Sequence, residues 1–233
     1  MTQASAAVEL HDVVRKFARR WVLRGIDLRV DAGEIVALTG RNGSGKTTLL
    51  RICATLLRPT RGSGSVLGLD LVSDAAAIRH HVGLLGHAAG VYDDLTAGEN
   101  LAFGLRMQGQ HPDASRITSA LERVGLETEA GERARGFSAG MRRRLALARL
   151  LLRPPRLLLL DEPFASFDAE GVQLVNTFAT DVARAGGAVL LTTHDMSRGR
   201  GVFDRRLHIS GGRVAEGALD ADDRDLIEML ELP

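Results

Sequence analysis

Eight consecutive residues, Gly40-Arg41-Asn42-Gly43-Ser44-Gly45-Lys46-Thr47, have the makings of a phosphate cradle. They fit the template G-x-x-x-x-G-K-[ST], and they lie between an apolar run of strand length and a stretch with helical character. Glycines at 40, 43 and 45 allow successive backbone N–H groups to turn inward around a triphosphate, and a helix opening at Lys46 aims its positive end at the same charge. In that arrangement Lys46 reaches the β- and γ-phosphates, Thr47 offers a hydroxyl to Mg²⁺ and Thr48 bonds a further phosphate oxygen. A glycine-rich turn with an incidental lysine is the plainer alternative. Against it, only Lys16 and Lys46 among thirty basic residues are lysines, which suggests that this position needs a compact point charge and not a guanidinium fork.

Two further runs end in polar residues that suit the same chemistry. Leu157-Leu158-Leu159-Leu160 closes on Asp161-Glu162, which puts two carboxylates at the carboxyl edge of a sheet, where open α/β folds bind ligands. Asp161 can complete a Mg²⁺ shell beside Thr47, and Glu162 can polarise the water that attacks the γ-phosphorus. Taken alone, the two acids would only cap the turn at Pro163. Ala188–Thr192 repeats the pattern and delivers His194 to the same edge, where an imidazole can donate to the γ-phosphate; without that company it would be an ordinary loop histidine. Gly136-Phe137-Ser138-Ala139-Gly140-Met141 opens another helix, followed at once by Arg142, Arg143 and Arg144. One triphosphate does not need two anion-receiving helix starts in cis, so the economical reading is a two-fold dimer with nucleotide at its interface. A solvated basic face capped by Ser138 is the alternative.

The elements that must position these groups follow from pattern. Val8–Val14 and Val22–Val30 read as strands, as do Glu34–Thr39, Ser65–Leu67 and Val82–Leu85, with a short helix before the last. A helix is expected from Lys46 to Arg58, stopped by Pro59. Thr96-Ala97-Gly98-Glu99 has capping-box spacing, and helices are expected over Asp113–Val124 and Ser138–Leu152, so residues 90–155 read as a helical subdomain. A helix over Ala169–Ala185 joins the strands Leu157–Leu160 and Ala188–Thr192 in a βαβ unit, which implies parallel pairing. Leu207–Ile209 and Arg213–Ala215 read as a hairpin, and an acidic amphipathic helix is expected at the end.

Composition sets the bounds. The chain of 233 residues has thirty basic and twenty-nine acidic side chains, a net charge of +1, so no global field argues for nucleic acid as a partner. The single cysteine, Cys53, sits among apolar neighbours and reads as a small buried hydrophobe in a reducing compartment. Neither a leader segment nor an apolar run long enough to span a bilayer is evident, and the cytoplasm is the expected location.

Together these motifs resemble the nucleotide-binding domain of ABC transporters across essentially the whole chain. Gly40–Thr47 is similar to the Walker A motif, Phe137–Met141 to the signature, Leu157–Glu162 to Walker B with its catalytic glutamate, Ala165-Ser166-Phe167-Asp168 to the D-loop, and His194 to the switch histidine. The resemblance implies a P-loop NTPase of α/β class, with a mainly parallel core sheet, an antiparallel β part and an inserted helical subdomain. It implies one domain over 1–233, with 1–89 and 156–233 as the ATPase lobe and 90–155 as the signature-bearing subdomain. It further implies ATP and Mg²⁺ as ligands, a homodimer or pseudo-dimer with a similar ATPase, an integral membrane permease as partner, and a peripheral place on the cytoplasmic face of the membrane. Phe17 corresponds to the adenine-stacking position, with Trp21 a weaker candidate, and Ser138 and Gly140 to γ-phosphate contacts. The chain departs from the family pattern where His87 stands at the metal-contacting Q-loop glutamine, and where Ala139 and Met141 replace signature glycine and glutamine. Gly86-His87, Leu95–Leu101 and Glu162-Pro163-Phe164 resemble the ATPase of the cytochrome c maturation haem exporter; drug exporters share much of this pattern. A soluble ABC-type ATPase and a nucleotide-binding scaffold without catalysis are the rival expectations.

Overall fold

A computed structural model describes residues 5–86, 90–199 and 201–217. Two sheets carry the fold. The first has four strands in the order β2-β1-β4-β5, from β1 (Ala6–Phe17), β2 (Arg20–Asp31), β4 (Arg61–Val66) and β5 (Leu69–Asp70), and every pairing in it is antiparallel. The second has six strands in the order β10-β9-β3-β8-β7-β6, from β3 (Ile35–Thr39), β6 (Val82–Leu85), β7 (Leu157–Asp161), β8 (Ala188–Thr192), β9 (Arg205–Ser210) and β10 (Arg213–Gly217). Here β3 pairs in parallel with both β8 and β9, and β7 pairs in parallel with β8. All five residues of β3, β7 and β8 are buried, as continuous apolar strands covered on both faces must be. This is the mixed α/β architecture that the alternation of strands and helices implies.

The helices are α1 (Lys46–Cys53), α2 (Ala75–Arg79), α3 (Ala97–Met107), α4 (Ala114–Arg123), α5 (Ala139–Leu151) and α6 (Ala169–Arg184). The Thr96 side chain accepts from the Glu99 N–H while the Glu99 side chain accepts from the Thr96 N–H, so α3 starts on a complete capping box. α1 is shorter than the pattern suggests. It stops at Cys53 because Thr55 takes a left-handed φ of 56°, and the N–H groups of Leu56 and Thr55 donate back to the carbonyls of Arg51 and Ile52. That is a Schellman closure with threonine where glycine is usual. Cys53 is fully buried in the core of this lobe, and burial pushes its thiol up to about 12.

Two compact units divide the chain. One comprises Met1–Leu84, Pro155–Pro163 and Ala179–Pro233; the other comprises Leu85–Pro154 and Phe164–Phe178. The first holds the core of Val8, Leu23, Val36, Leu49, Leu159 and Leu190, and the second is built on α3, α4 and α5. Among the described residues, no helix is long and apolar enough to cross a membrane. His87 and the expected C-terminal acidic helix lie outside the described residues.

Candidate functional site

The loop between β3 and α1 is shaped by glycines that no other residue can replace. Gly40 has φ 140°, and a Cβ there would collide with the carbonyl of Ile209; Gly45 has φ 117°, and a Cβ would lie 2.8 Å from Leu23 Cδ2. Gly45 is the N-cap of α1 and no side chain caps the helix, so its first-turn N–H groups face the loop without an intrahelical acceptor. Lys46 is 7% exposed. Its Nζ donates to the Gly40 carbonyl at 2.6 Å and to the Arg41 carbonyl at 3.4 Å, and lies 3.9 Å from Glu162 Oε1.

Asp161 ends β7, 114 positions after Thr47 along the chain, yet the Thr47 hydroxyl donates to its Oδ2 at 2.8 Å. The other carboxylate oxygen, Oδ1, accepts from the Thr192 hydroxyl, also at 2.8 Å. Glu162 follows with a left-handed φ of 48°, and its N–H donates to Thr192 Oγ1 at 2.9 Å. A non-glycine residue held there is the kind of local strain that collects at functional positions. His194, just past β8, brings Nδ1 to 2.8 Å from Glu162 Oε2. Lys46, Thr47, Asp161, Glu162 and His194 therefore converge on one edge of the parallel sheet, as their positions at strand ends require.

A metal can be tested against this edge. Mg²⁺ takes hard oxygen donors and usually keeps waters and substrate phosphates in its shell. The Thr47 hydroxyl and the Asp161 carboxylate are such donors, already within hydrogen-bond distance of each other. Among the described residues, no group of three or more His, Cys, Asp or Glu could hold a metal by itself. The residues thus fit a cation whose shell is completed by phosphate and water.

Beside the loop opens a cavity of about 750 Å³, lined by Arg41, Asn42, Gly43 and Ser44, by Arg19, Arg20 and Arg24, by Trp21 and by the β9–β10 turn. Its aromatic wall is Trp21. Phe17 is not among its lining residues; the ring is 42% exposed, with the Arg15 guanidinium 4.5 Å from its centroid. The family resemblance points to Phe17 first, but the hairpin pairs Phe17 with Arg20 and Lys16 with Trp21, and Trp21 is the one that lines this cavity.

Ser138 and Gly140 open α5 in the second unit. The Ser138 side chain accepts from the Met141 N–H at 3.2 Å and so caps its own helix. The three arginines that follow do not form an open basic face. Arg142 is paired with Asp93, Arg144 with Asp168 and Glu170, and Arg143 is buried. The Gly171 N–H, helped by Arg144, holds the Asp168 carboxyl below the usual range.

Sequence reasoning passed over Thr192 and a buried cluster of Thr39, Arg206 and His208, in which Thr39 Oγ1 lies 3.0 Å from His208 Nδ1. Burial, with the nearby charges of Arg206 and Lys46, pushes the His208 imidazole down. The signal for Thr192 was a polar residue closing a buried strand of the same length as the one closed by Asp161.

A phosphate loop after a buried parallel strand, with a carboxylate from the next-but-one strand bonded to its threonine, defines a P-loop NTPase. A family model described as ABC transporter matches residues 23–165, more than half of the chain, and the chain belongs to that family as an ATP-binding subunit. It is 40% identical to the cytochrome c biogenesis ATP-binding export protein CcmA of Bordetella bronchiseptica, over 87% of this chain and 89% of that one. It is 38% identical to the daunorubicin resistance ATP-binding protein DrrA3 of Streptomyces coeruleorubidus, over 93% of this chain and 70% of that one. Among solved structures, it superposes with a TM-score of 0.80 at 26% identity on the ATP-binding cassette MJ0796, a dimer in a post-hydrolysis state bound to ADP and Pi, over 92% of this chain and 100% of that one.

Proposed function

We propose that this chain binds ATP with Mg²⁺ and hydrolyses it to ADP and phosphate, powering transport through a permease that is a separate membrane protein. The observation that carries the reading is the 2.8 Å bond between Thr47 and Asp161, with Lys46 and Glu162 on the same edge. Backbone N–H groups of Gly43–Thr48 cradle the phosphates, Lys46 balances charge on the β and γ groups, and Thr47 and Asp161 hold the cation. When bound, Mg²⁺ neutralises the charge that develops on the transferred phosphoryl group. Glu162 accepts the proton of the attacking water, and His194 orients Glu162 and contacts the γ-phosphate. The base stacks on Trp21, with Phe17 as the second candidate.

Ser138 and Gly140 of a second copy, or of a similar ATPase, close over the γ-phosphate, so that ATP draws two subunits together and hydrolysis releases them. The dimeric state named for MJ0796 supports this. The chain then sits peripherally on the cytoplasmic face of the membrane, bound through its permease. For cargo, the likeness to CcmA supports export of haem for cytochrome c assembly, while the likeness to DrrA3 supports a drug exporter as the second reading.

Phosphate release by the purified chain tests the core of this. The wild type should turn over with Mg²⁺ and ATP; Lys46→Ala should lose nucleotide and turnover together, and Glu162→Gln should keep ATP while losing turnover. Equal rates in all three would refute the assignment. Recovery of an integral membrane protein with the tagged chain supports the transporter reading, whereas recovery of ribosomes or DNA overturns it. Loss of cytochrome c haem on deletion of the gene supports haem as cargo; intact cytochromes with gained drug sensitivity support the second reading.

A further inference from the structure

We infer that Thr192 is a positioning residue of the hydrolytic edge, a single buried hydroxyl that sets both the orientation of the Asp161 carboxylate and the backbone of Glu162. The inference rests on the proposed Mg²⁺-ATP site and assigns a residue that no motif of that site contains. Parallel pairing of β7 with β8 puts Asp161 directly beside Thr192, the last residue of each strand. Thr192 is 0% exposed and Asp161 3%, so water does not substitute for either partner. The Thr192 hydroxyl has one proton and two lone pairs. It donates the proton to Asp161 Oδ1 at 2.8 Å and accepts the Glu162 N–H at 2.9 Å, so both sides of the group are used.

The consequences differ for the two neighbours. With Oδ1 tied to Thr192, Oδ2 is the oxygen turned toward Thr47, 2.8 Å away, where the proposed cation would sit. A carboxylate held at one oxygen cannot rotate its other oxygen away from the loop. Glu162 stands at φ 48°, a conformation that a non-glycine residue keeps only where its surroundings over-determine it. Its N–H bond to Thr192 supplies one of those constraints, and thereby aims the side chain that lies 3.9 Å from Lys46 Nζ and 2.8 Å from His194 Nδ1. An aliphatic residue of the same shape would fill the space and leave one carboxylate oxygen and one N–H without this partner.

The test compares Thr192→Val, which keeps shape and loses the hydroxyl, with Thr192→Ser, which keeps the hydroxyl and loses a methyl group. Turnover, KM for ATP and Mn²⁺ binding, read by the electron spin resonance of Mn²⁺ in the presence of ADP, are measured for both, with ADP binding in EDTA alongside. For the valine variant, kcat should fall by about 10- to 100-fold, the worth of a hydrogen bond to a charged group. Mn²⁺ affinity should fall by about tenfold, with ADP affinity in EDTA within about threefold of the wild type. The serine variant should recover both readings to within about threefold. Wild-type kcat and Mn²⁺ affinity in the valine variant would overturn the inference, as would a serine variant that fails as valine does, since packing would then be the cause. Absence of turnover in the wild type itself would instead overturn the underlying reading of the site.

Discussion

Two helices of this protein begin in ways that invite an anion, and they are built differently. α1 starts on Gly45, with no side-chain cap, behind a loop whose glycines 40, 43 and 45 hold positive φ, and its lysine lies against loop carbonyls and a carboxylate. α5 starts on Ser138, which caps the helix with its own hydroxyl, and Arg142 and Arg144 are already paired with Asp93, Asp168 and Glu170. At the first start the helix N–H groups have no side-chain acceptor, although the lysine is engaged by the loop and by Glu162. At the second the Met141 N–H is capped and Arg142 and Arg144 are paired, which suits the few contacts proposed for it with a nucleotide on another copy. The difference teaches that a basic, capped helix start in the sequence does not by itself make an anion site; what matters is which donors the fold leaves uncommitted.

That contrast can be broken most severely at the loop. Lys46→Ala should lower turnover by more than about 10³-fold and remove measurable nucleotide binding, because it deletes the positive charge nearest the phosphates in a site with restricted solvent. Phosphate release and equilibrium binding of a fluorescent ATP analogue read the two effects. Trp21→Ala should weaken ATP by about tenfold with a smaller effect on kcat, since base–aromatic stacking contributes about 1–3 kcal/mol. Trp21 is the only tryptophan, so its emission should also shift on nucleotide addition to the wild type. No shift, together with a larger loss in Phe17→Ala, would return the stacking role to Phe17.

The second helix start should respond more mildly. Ser138→Ala removes a helix cap, so thermal unfolding should reveal a loss of about 1 kcal/mol, and turnover should fall by about tenfold through a weaker ATP-driven dimer. Size-exclusion chromatography with ATP separates that outcome from a defect in nucleotide binding by one copy. The smallest effect is expected at Asp113, the N-cap of α4, whose carboxyl is held below its ordinary value of 3.8 by the Ser115 hydroxyl and by the N–H groups of Arg116 and Ser115. The native pKa lies below the unfolded one, so this contribution is complete above pH 3.8 and lost as pH falls through the lower native value. Asp113→Asn should keep the cap and flatten that part of the acid unfolding curve, measured by urea titration at several pH values.

Much of the fold was legible from pattern. The buried strands β3, β7 and β8 announce themselves as unbroken apolar runs, and Thr96-Ala97-Gly98-Glu99 announces the capping box that opens α3. The end of α1 was not legible, because a Schellman closure normally shows itself by glycine and here the left-handed residue is Thr55, its hydroxyl 3.2 Å from the Ala75 carbonyl. Of the antiparallel sheet, β1, β2 and the end of β4 were legible as strands, whereas β5 was not, since it is only two residues long and pairs with β4 through a tight turn.

By itself, the order of residues determined that a phosphate loop, two acids and a histidine each follow a buried strand, because strand ends and glycine turns are local properties of the chain. The βαβ pattern already paired β7 with β8; only the tertiary structure chose β8 as the neighbour of β3 and set the registers. That choice brings Thr47 to Asp161 and Asp161 to Thr192 across separations of 114 and 31 residues. It also turns Trp21 and not Phe17 toward the cavity. Hydrogen bonds between distant residues depend on sheet order and register, which no local spacing encodes.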